Sequence, residues 1–409
     1  MIFSRADKSR IADWSFTIDR LLLMAMMSLI VIGLVLSFAA SPSIALKKGF
    51  DTYYFVKRHV VFAGLSTVIM LSLSFLSPSG VRRAALIILT AALAGMTAVL
   101  VSGAEMNGAQ RWLSIGGYSL QPSEFAKPAF VVVLAWLFAE AVSRRDVPAA
   151  PIAIGLWAVF AGLLVSQPDV GQTILISTTA GILYLLAGLP IIGAVALVGV
   201  GGAGLWLAYE NFGHVHSRLD RFFSPLPFEN FQVDRAMQSF SEGGLFGRGP
   251  GEGTIKTVLP DAHTDFIFAV VAEEYGVLAC LALLGLFAFI VIKALVRAAE
   301  EPNAADRLAI QGLALVFGLQ ALINMGVNIG MLPPKGMTLP FISAGGSSMI
   351  ALAVTTGMLL ALTRHRADPQ RLKKPRLVPT LDSIDYKGGP RGGPKGGPKG
   401  GQVGQAQSR

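Results

Sequence analysis

Apolar runs of spanning length alternate with short polar breaks along almost the whole chain. Ten of them, at about 21–41, 59–77, 84–103, 128–143, 151–167, 172–187, 191–209, 265–295, 309–330 and 346–363, predict transmembrane helices, because roughly 20 apolar residues cross the hydrocarbon core. Pro168 and Pro190 mark two of the tightest turns. The break between 172–187 and 191–209, Gly188-Leu189-Pro190, carries no charge and rests on its glycine and proline alone. The pattern predicts an all-α polytopic membrane protein in three parts. These are a leader at 1–20, a ten-helix domain at 21–363 with a large loop at 210–264 between helices 7 and 8, and a tail at 364–409. The tail repeats Gly-Gly-Pro with Lys or Arg, has little apolar surface to bury and is expected to be disordered.

Composition agrees. Hydrophobic residues make up 53% of the 409 and charged ones 14%, against about 25% charge in a soluble domain. The first apolar run is too long for a signal-peptide core and reads as an anchor that stays in place. Cys280 is the single cysteine, so no internal disulfide can form. A net charge of +9 is compatible with a nucleic-acid partner, but eleven of the 34 Lys and Arg follow Leu362, which assigns much of that charge to a tail beside an anionic membrane. With ten spans both termini share a side. That side collects 22 of the 34 basic residues, so both termini are expected in the cytoplasm and the loop at 210–264 outside.

Several polar features do not suit plain connectors. Arg111, Lys127 and Lys335 lie between apolar runs, close to membrane depth, where a cation must find a partner. Ser123 reads as an N-cap with Glu124 in the first turn, but Lys127 there opposes the helix dipole, and Asp265 is the anion expected to answer it. Gly243–Gly253 is a glycine-rich loop carrying Arg248, and it leads through Leu259–Phe266 into a span with Asp265 in its first turn. Glu273 and Glu274 fall about 12 and 13.5 Å further along that helix and read as buried structural groups. Between the last two spans, the prolines and glycines of Pro333–Ser348 forbid a continuous helix, so irregular backbone is expected to dip into the bundle. Ser347 and Ser348 then open a helix whose amides could face an anion. Gly199–Gly204 has dinucleotide-type spacing inside an apolar span, where helix packing is the better reading. His214 and His216 lack further metal ligands at a usual spacing.

Taken in register, Asn107–Trp112, Gln121–Lys127, Gln167–Gly171, Leu259–Phe266 with Glu273-Glu274, and Pro334–Ser348 resemble the SEDS family (shape, elongation, division and sporulation proteins). The resemblance covers roughly residues 20–365 and is nearer to the family's division branch, of alphaproteobacterial type, than to its elongation branch. Ala344 stands where the family commonly has Tyr. The resemblance implies a peptidoglycan glycosyltransferase that polymerises lipid II at the outer face of the inner membrane, at the division septum. It also implies a class B penicillin-binding protein (a transpeptidase) and other divisome proteins as partners. The family's essential acid falls on Asp265 and its important lysines on Lys127 and Lys335.

The chemistry of the residues agrees with this. Joining lipid-linked sugars needs a base for the attacking hydroxyl and cations for the departing diphosphate. Asp265 is the candidate base. Lys127, Lys335, Arg248, Arg111, Ser347 and Ser348 are candidate diphosphate or substrate contacts, and Glu124, Glu273 and Glu274 are structural. A divalent cation, Mg or Mn, could share the diphosphate, and no organic cofactor is implied. The competing readings are a lipid II flippase, an elongation-type polymerase and a non-catalytic division scaffold.

Overall fold

A computed structural model describes residues 9–365 apart from 107–108, 116–117, 145, 212, 214–215, 217–230 and 335. The basic tail, His214, Lys335 and part of the large loop therefore lie outside the described residues.

A short leader helix, α1 (Arg10–Thr17), precedes α2 (Arg20–Ala40) and α3 (Pro42–Lys47). There follow α4 (Tyr54–Ser74), α5 (Pro78–Ser102), α6 (Pro122–Ser143), α7 (Ala149–Ser166), α8 (Val170–Leu186) and α9 (Ile191–Asn211). An amphipathic α10 (Phe231–Gly243) lies within the large loop, followed by α11 (Ile267–Glu300), α12 (Ala304–Asn328) and α13 (Gly346–Leu362). A helix stands at every one of the ten apolar runs. Seven are long and apolar enough to span by length and composition, while Val170–Leu186, Ile191–Gly204 and Gly346–Leu362 are shorter apolar stretches. The chain is a polytopic, mainly helical membrane protein.

Several helices start earlier than the hydropathy does. α4 begins at Tyr54 and so takes in Lys57 and Arg58; α5 begins at Pro78, with the Ser77 side chain capping Gly80 N at 3.1 Å. Hydropathy locates the membrane crossing, whereas caps and prolines locate the helix. The same reasoning corrects the start of α6. Its N-cap is Gln121 and Pro122 takes the first turn, which leaves Ser123 buried instead of capping. Between α5 and α6 the expected polar connector forms a small antiparallel sheet of β1 (Ala104–Met106), β2 (Ala109–Ile115) and β3 (Tyr118–Leu120), in the order β1-β2-β3.

α6, α12 and α13 form the centre. Phe130, Phe138, Phe317 and nearly all of Ser347–Leu362 are buried there. α4, α5 and the far part of α11 carry exposed Val61, Ile87 and Leu281, as lipid-facing helices do. At one end, Asp19 caps α2 and pairs with Arg297 at 2.8 Å and Lys293 at 3.7 Å. Burial alone would raise the Asp19 carboxyl, but hydrogen bonds from Arg297 and Leu22 N and the two positive charges hold it below the usual range. The Trp14 indole donates to Ser74 Oγ at 2.8 Å and its ring stacks on Phe75, while Arg364 pairs with Asp13. The leader is thus tied to both the α4–α5 turn and the end of α13.

Two expectations fail. The glycines at 199, 201, 202 and 204 lie in α9 as expected, but a Cβ built on any of them meets nothing within 4 Å, so they mediate no helix packing among the described residues. The helix after Asp265 is not one straight span. It begins at Ile267 and breaks at Gly276, where φ is 79° and ψ is 176°. That backbone region is essentially reserved for glycine, and a Cβ at 276 would overlap the Leu245 carbonyl oxygen. Gly276→Ala is expected to destabilise the protein by about 2 kcal/mol or more. Gly285→Ala, on an open face of the same helix, is expected to be neutral or slightly stabilising. Thermal unfolding of the two variants in detergent checks the contrast.

Candidate active site

At the end of the bundle that carries the irregular segments, a cavity of about 1450 Å³ opens. Asp265, Glu124, Arg111, Arg58, Gly336 and Gly346–Ser348 are among its lining residues. Asp265 reaches it from a tight turn. Asp261, with φ at 52°, offers its carbonyl to the amides of Thr264, Asp265 and Phe266 at 3.0, 3.1 and 3.3 Å. The Asp265 carbonyl accepts from Asn324 Nδ2 and Asn328 Nδ2, both at 2.9 Å. The side chain is half-buried at the cavity wall, two residues ahead of the helix instead of within its first turn.

The segment between α12 and α13 is irregular, as its prolines and glycines predicted, and its second half is buried; Leu339, Phe341 and Ile342 have no exposed surface. It is stitched to the Asp265 turn by Ala344 N to His263 O at 2.9 Å and Ser343 Oγ to Thr264 O at 2.6 Å. These bonds carry α13 to the cavity with its N-terminus, Ser347 and Ser348 facing inward. Beneath Gly346 sits the Phe62 ring, 2.7 Å from where a Cβ would stand. Arg58 lies over Phe62 and Tyr54, about 6 Å from each ring centre. Lys57 also lines the cavity and pairs with Asp51 at 2.7 Å.

On the opposite wall, α6 presents Glu124. Its carboxylate accepts from Gln172 Nε2 at 2.6 Å and pairs with Lys127 at 2.8 Å. Lys127 also donates to Gln320 Oε1 at 2.8 Å. The anion that answers Lys127 is therefore Glu124, one turn earlier on its own helix, and not Asp265. Arg111 donates to the carbonyls of Gln167 (3.0 Å) and Pro168 and lies 3.8 Å from Asp169, which also accepts from Gln121 at 3.3 Å. Burial pushes the Asp169 carboxyl above the usual carboxylate range, with the Arg111 charge opposing it.

The glycine loop does not serve the cavity. Glu273, fully buried, accepts from the amides of Thr254, Ile255 and Lys256 at 2.6, 2.7 and 3.0 Å. Glu274 accepts from Gly251 N at 3.0 Å and pairs with Lys256. Both glutamates are spent on the loop's own amides and Lys256, and they hold the loop instead of lying in the apolar bundle. Arg248 pairs with Glu242 and donates to Thr254 Oγ1 at 3.0 Å, so it stands apart from the cavity lining. The loop's amides already have their anions.

Of the sequence candidates, the structure brings Asp265, Arg111, Glu124, Ser347 and Ser348 to one cavity, seats Lys127 just behind its wall, and removes Arg248. Lys335 lies outside the described residues. Arg58, Asp169, Gln320, Asn324 and Asn328 were not anticipated. The signal available for the last three was their spacing, amides at steps of four in an otherwise apolar run.

A polytopic bundle with irregular backbone walling a charged cavity at one end defines the class: a membrane protein that handles a polar, membrane-associated ligand. The family model described as cell cycle protein, covering FtsW, RodA and SpoVE, matches residues 19–368, and the chain belongs to that family. It is 47% identical over 365 residues to the probable peptidoglycan glycosyltransferase FtsW of Caulobacter vibrioides, covering 89% of this chain and 94% of that one. The FtsW of Halomonas elongata is 36% identical, with 87% and 93% covered. Among solved structures, a peptidoglycan synthase complex that coordinates polymerization and crosslinking superposes with a TM-score of 0.69 at 28% identity, covering 85% of this chain and 97% of that one. The rod shape determining protein RodA of Thermus thermophilus gives 0.61 at 27%, covering 86% and 98%.

His263, beside Asp265, is buried against Phe55, and that burial lowers its pKa to about 4, with the Lys48 charge adding to the shift. An unfolded histidine titrates near 6.5, so between pH 6.5 and 4 the unfolded chain binds the extra proton. Stability is full above about pH 6.5 and falls as pH drops towards 4, by roughly 3 kcal/mol in all. His263→Gln is expected to flatten this limb of a Tm-against-pH curve without changing the rest.

Proposed function

We propose that the protein is a peptidoglycan glycosyltransferase that polymerises lipid II at the outer face of the inner membrane, with both termini cytoplasmic, in septal wall synthesis beside a class B penicillin-binding protein and other divisome proteins. The observation that carries this reading is the sharing of one cavity by Asp265, the start of α13 and Arg58. A base, a helix N-terminus and a cation then face the same space, as transfer between lipid-linked sugars requires. The basic residues gathered near both chain ends support the orientation. The relatives named as peptidoglycan glycosyltransferases support the substrate class, and the synthase complex supports the transpeptidase partner.

Asp265 takes the proton of the acceptor's GlcNAc 4-hydroxyl as that oxygen attacks C1 of the donor's MurNAc. The new O–C1 bond forms opposite the breaking bond from C1 to the phosphate oxygen, so the linkage is β and the configuration inverts. The undecaprenyl diphosphate leaves with the electron pair of the broken bond, and Arg58 with the Gly346–Ser348 amides meets its charge. Lys335 is proposed for the same task. Lys127 and Arg111 are committed elsewhere: Lys127 holds Glu124 and Gln320, and Arg111 holds the 167–169 turn. Among the described residues no three ligating side chains converge for a metal. Mg and Mn remain proposed as ions that the diphosphate itself would carry, held by few protein ligands, and no step is routed through them.

Asp265→Asn keeps the shape and removes the base. The full-length protein, purified with its transpeptidase partner and given lipid II in detergent, is expected to make glycan polymer. The variant is expected to lose about 10²–10⁴-fold in rate while eluting and melting as the parent does. Detergent leaves no second compartment, so polymer formation there also separates this activity from lipid translocation and from a scaffold. Near-normal polymerisation by a well-folded variant overturns the base assignment.

A further inference from the structure

α12 carries three buried amides on one face, Gln320, Asn324 and Asn328, each 1% exposed or less. Four-residue steps set successive amides about 6 Å apart along the helix. An amide in an apolar helix is costly unless its hydrogen bonds are met, and ordinary helix packing here would use leucine or alanine.

Their bonds end at the candidate active site. Asn324 Nδ2 donates to the Asp265 carbonyl at 2.9 Å and to the Met337 carbonyl at 2.6 Å, joining two segments that are 72 residues apart in the chain. Asn328 Nδ2 donates to the same Asp265 carbonyl, and its Oδ1 accepts from Ala269 N at 3.0 Å, the first helical turn beyond the acid. Gln320 Nε2 donates to the Thr338 carbonyl at 3.1 Å while its Oε1 receives Lys127. Where the two segments meet, a Cβ on Gly336 would stand 3.7 Å from Asp265 Oδ2, so the irregular segment that these amides hold runs alongside the carboxylate.

We propose that Gln320, Asn324 and Asn328 are positioning residues for glycosyl transfer: a column of amides on one helix that references both the Asp265 backbone and the irregular Gly336–Thr338 segment to α12, and so fixes where the carboxylate stands against that segment. This rests on Asp265 being the base. The chemistry selects amides. One NH₂ group supplies two donors and can clasp two carbonyls at once, whereas a hydroxyl has one donor and a carboxylate none. Gln320 extends the column to the Glu124–Lys127 pair, so both walls of the cavity are referenced to the same helix.

The test is steady-state polymerisation of lipid II by the full-length chain with its transpeptidase partner. Asn324→Leu fills the space and removes both donors; Asn324→Ser keeps one. Displacing a catalytic group by about 1 Å costs on the order of 100-fold, so kcat is expected to fall about 100-fold in the leucine variant and about 10-fold in the serine variant, with KM changed by less than about threefold. Thr356→Val removes a buried hydroxyl of α13 that, among the described residues, bonds only within its own helix, and it is expected to leave kcat unchanged. If Asn324→Leu does not fold, the serine variant and Gln320→Leu are read by the same split. Parental kcat in folded Asn324 variants, a change confined to KM, or a kcat loss matched by Thr356→Val overturns the proposal. Asp265→Asn is run alongside. Full activity there overturns the base assignment itself, whereas an inactive Asp265→Asn beside fully active Asn324 variants overturns only the column.

Discussion

Backbone that leaves the helix inside an apolar bundle must still satisfy its N–H and C=O groups, and this protein does so twice at one place. The turn bearing Asp265 and the segment from Pro334 to Gly345 meet each other through Ser343 and Ala344, and meet α12 through Asn324. Neither segment could keep its shape alone. The Asp265 turn provides the acceptors for Ser343 and Ala344, and α12, anchored by a long buried apolar face, provides donors to both segments. The cavity follows from this arrangement, because two irregular segments held side by side cannot close over the space that a pair of packed helices would fill.

The glycine loop illustrates the opposite use of similar chemistry. Consecutive backbone amides form an anion-binding concavity, and from sequence that suggests a ligand phosphate. Here the anion is already in the chain: Glu273 takes three amides, and Glu274 takes another together with Lys256. Gly276 makes this possible by breaking the helix just beyond the two glutamates, so that Gly244 and Leu245 can accept the amides of Val277 and Leu278. Arg248 is turned to Glu242 by the same fold of the loop. A basic residue in a glycine run is therefore weak evidence for phosphate when buried glutamates follow within thirty residues.

The helices were legible because a bilayer demands long apolar runs, and every such run became a helix. The helix starts were less so, since Tyr54, Lys57 and Arg58 are helical without being apolar. Asp265, Glu124 and the Ser347–Ser348 helix start were legible as polar groups at the ends of spans. The partner of Lys127 was not. From sequence, an opposing charge across the bundle and one three residues back on the same helix relieve the dipole equally well, and only packing chose Glu124. The break at Gly276 was hidden for a related reason: a lone glycine in an apolar helix is ordinary, and nothing local distinguishes one with φ at 79°.

The distribution of charge around the cavity gives the last step. Lys127 is neutralised by Glu124 and Lys57 by Asp51, and Arg111 is bound to two carbonyls beside Asp169. Arg58 differs, since among the described residues it makes no ion pair and rests on the faces of Tyr54 and Phe62. Aromatic faces hold a guanidinium in place without cancelling its charge, so its attraction for an anion in the cavity persists. Phe62 supports Gly346 as well. One ring thus touches both the cation and the helix start, so the positive charge of Arg58 and the N-terminus of α13 face the same cavity.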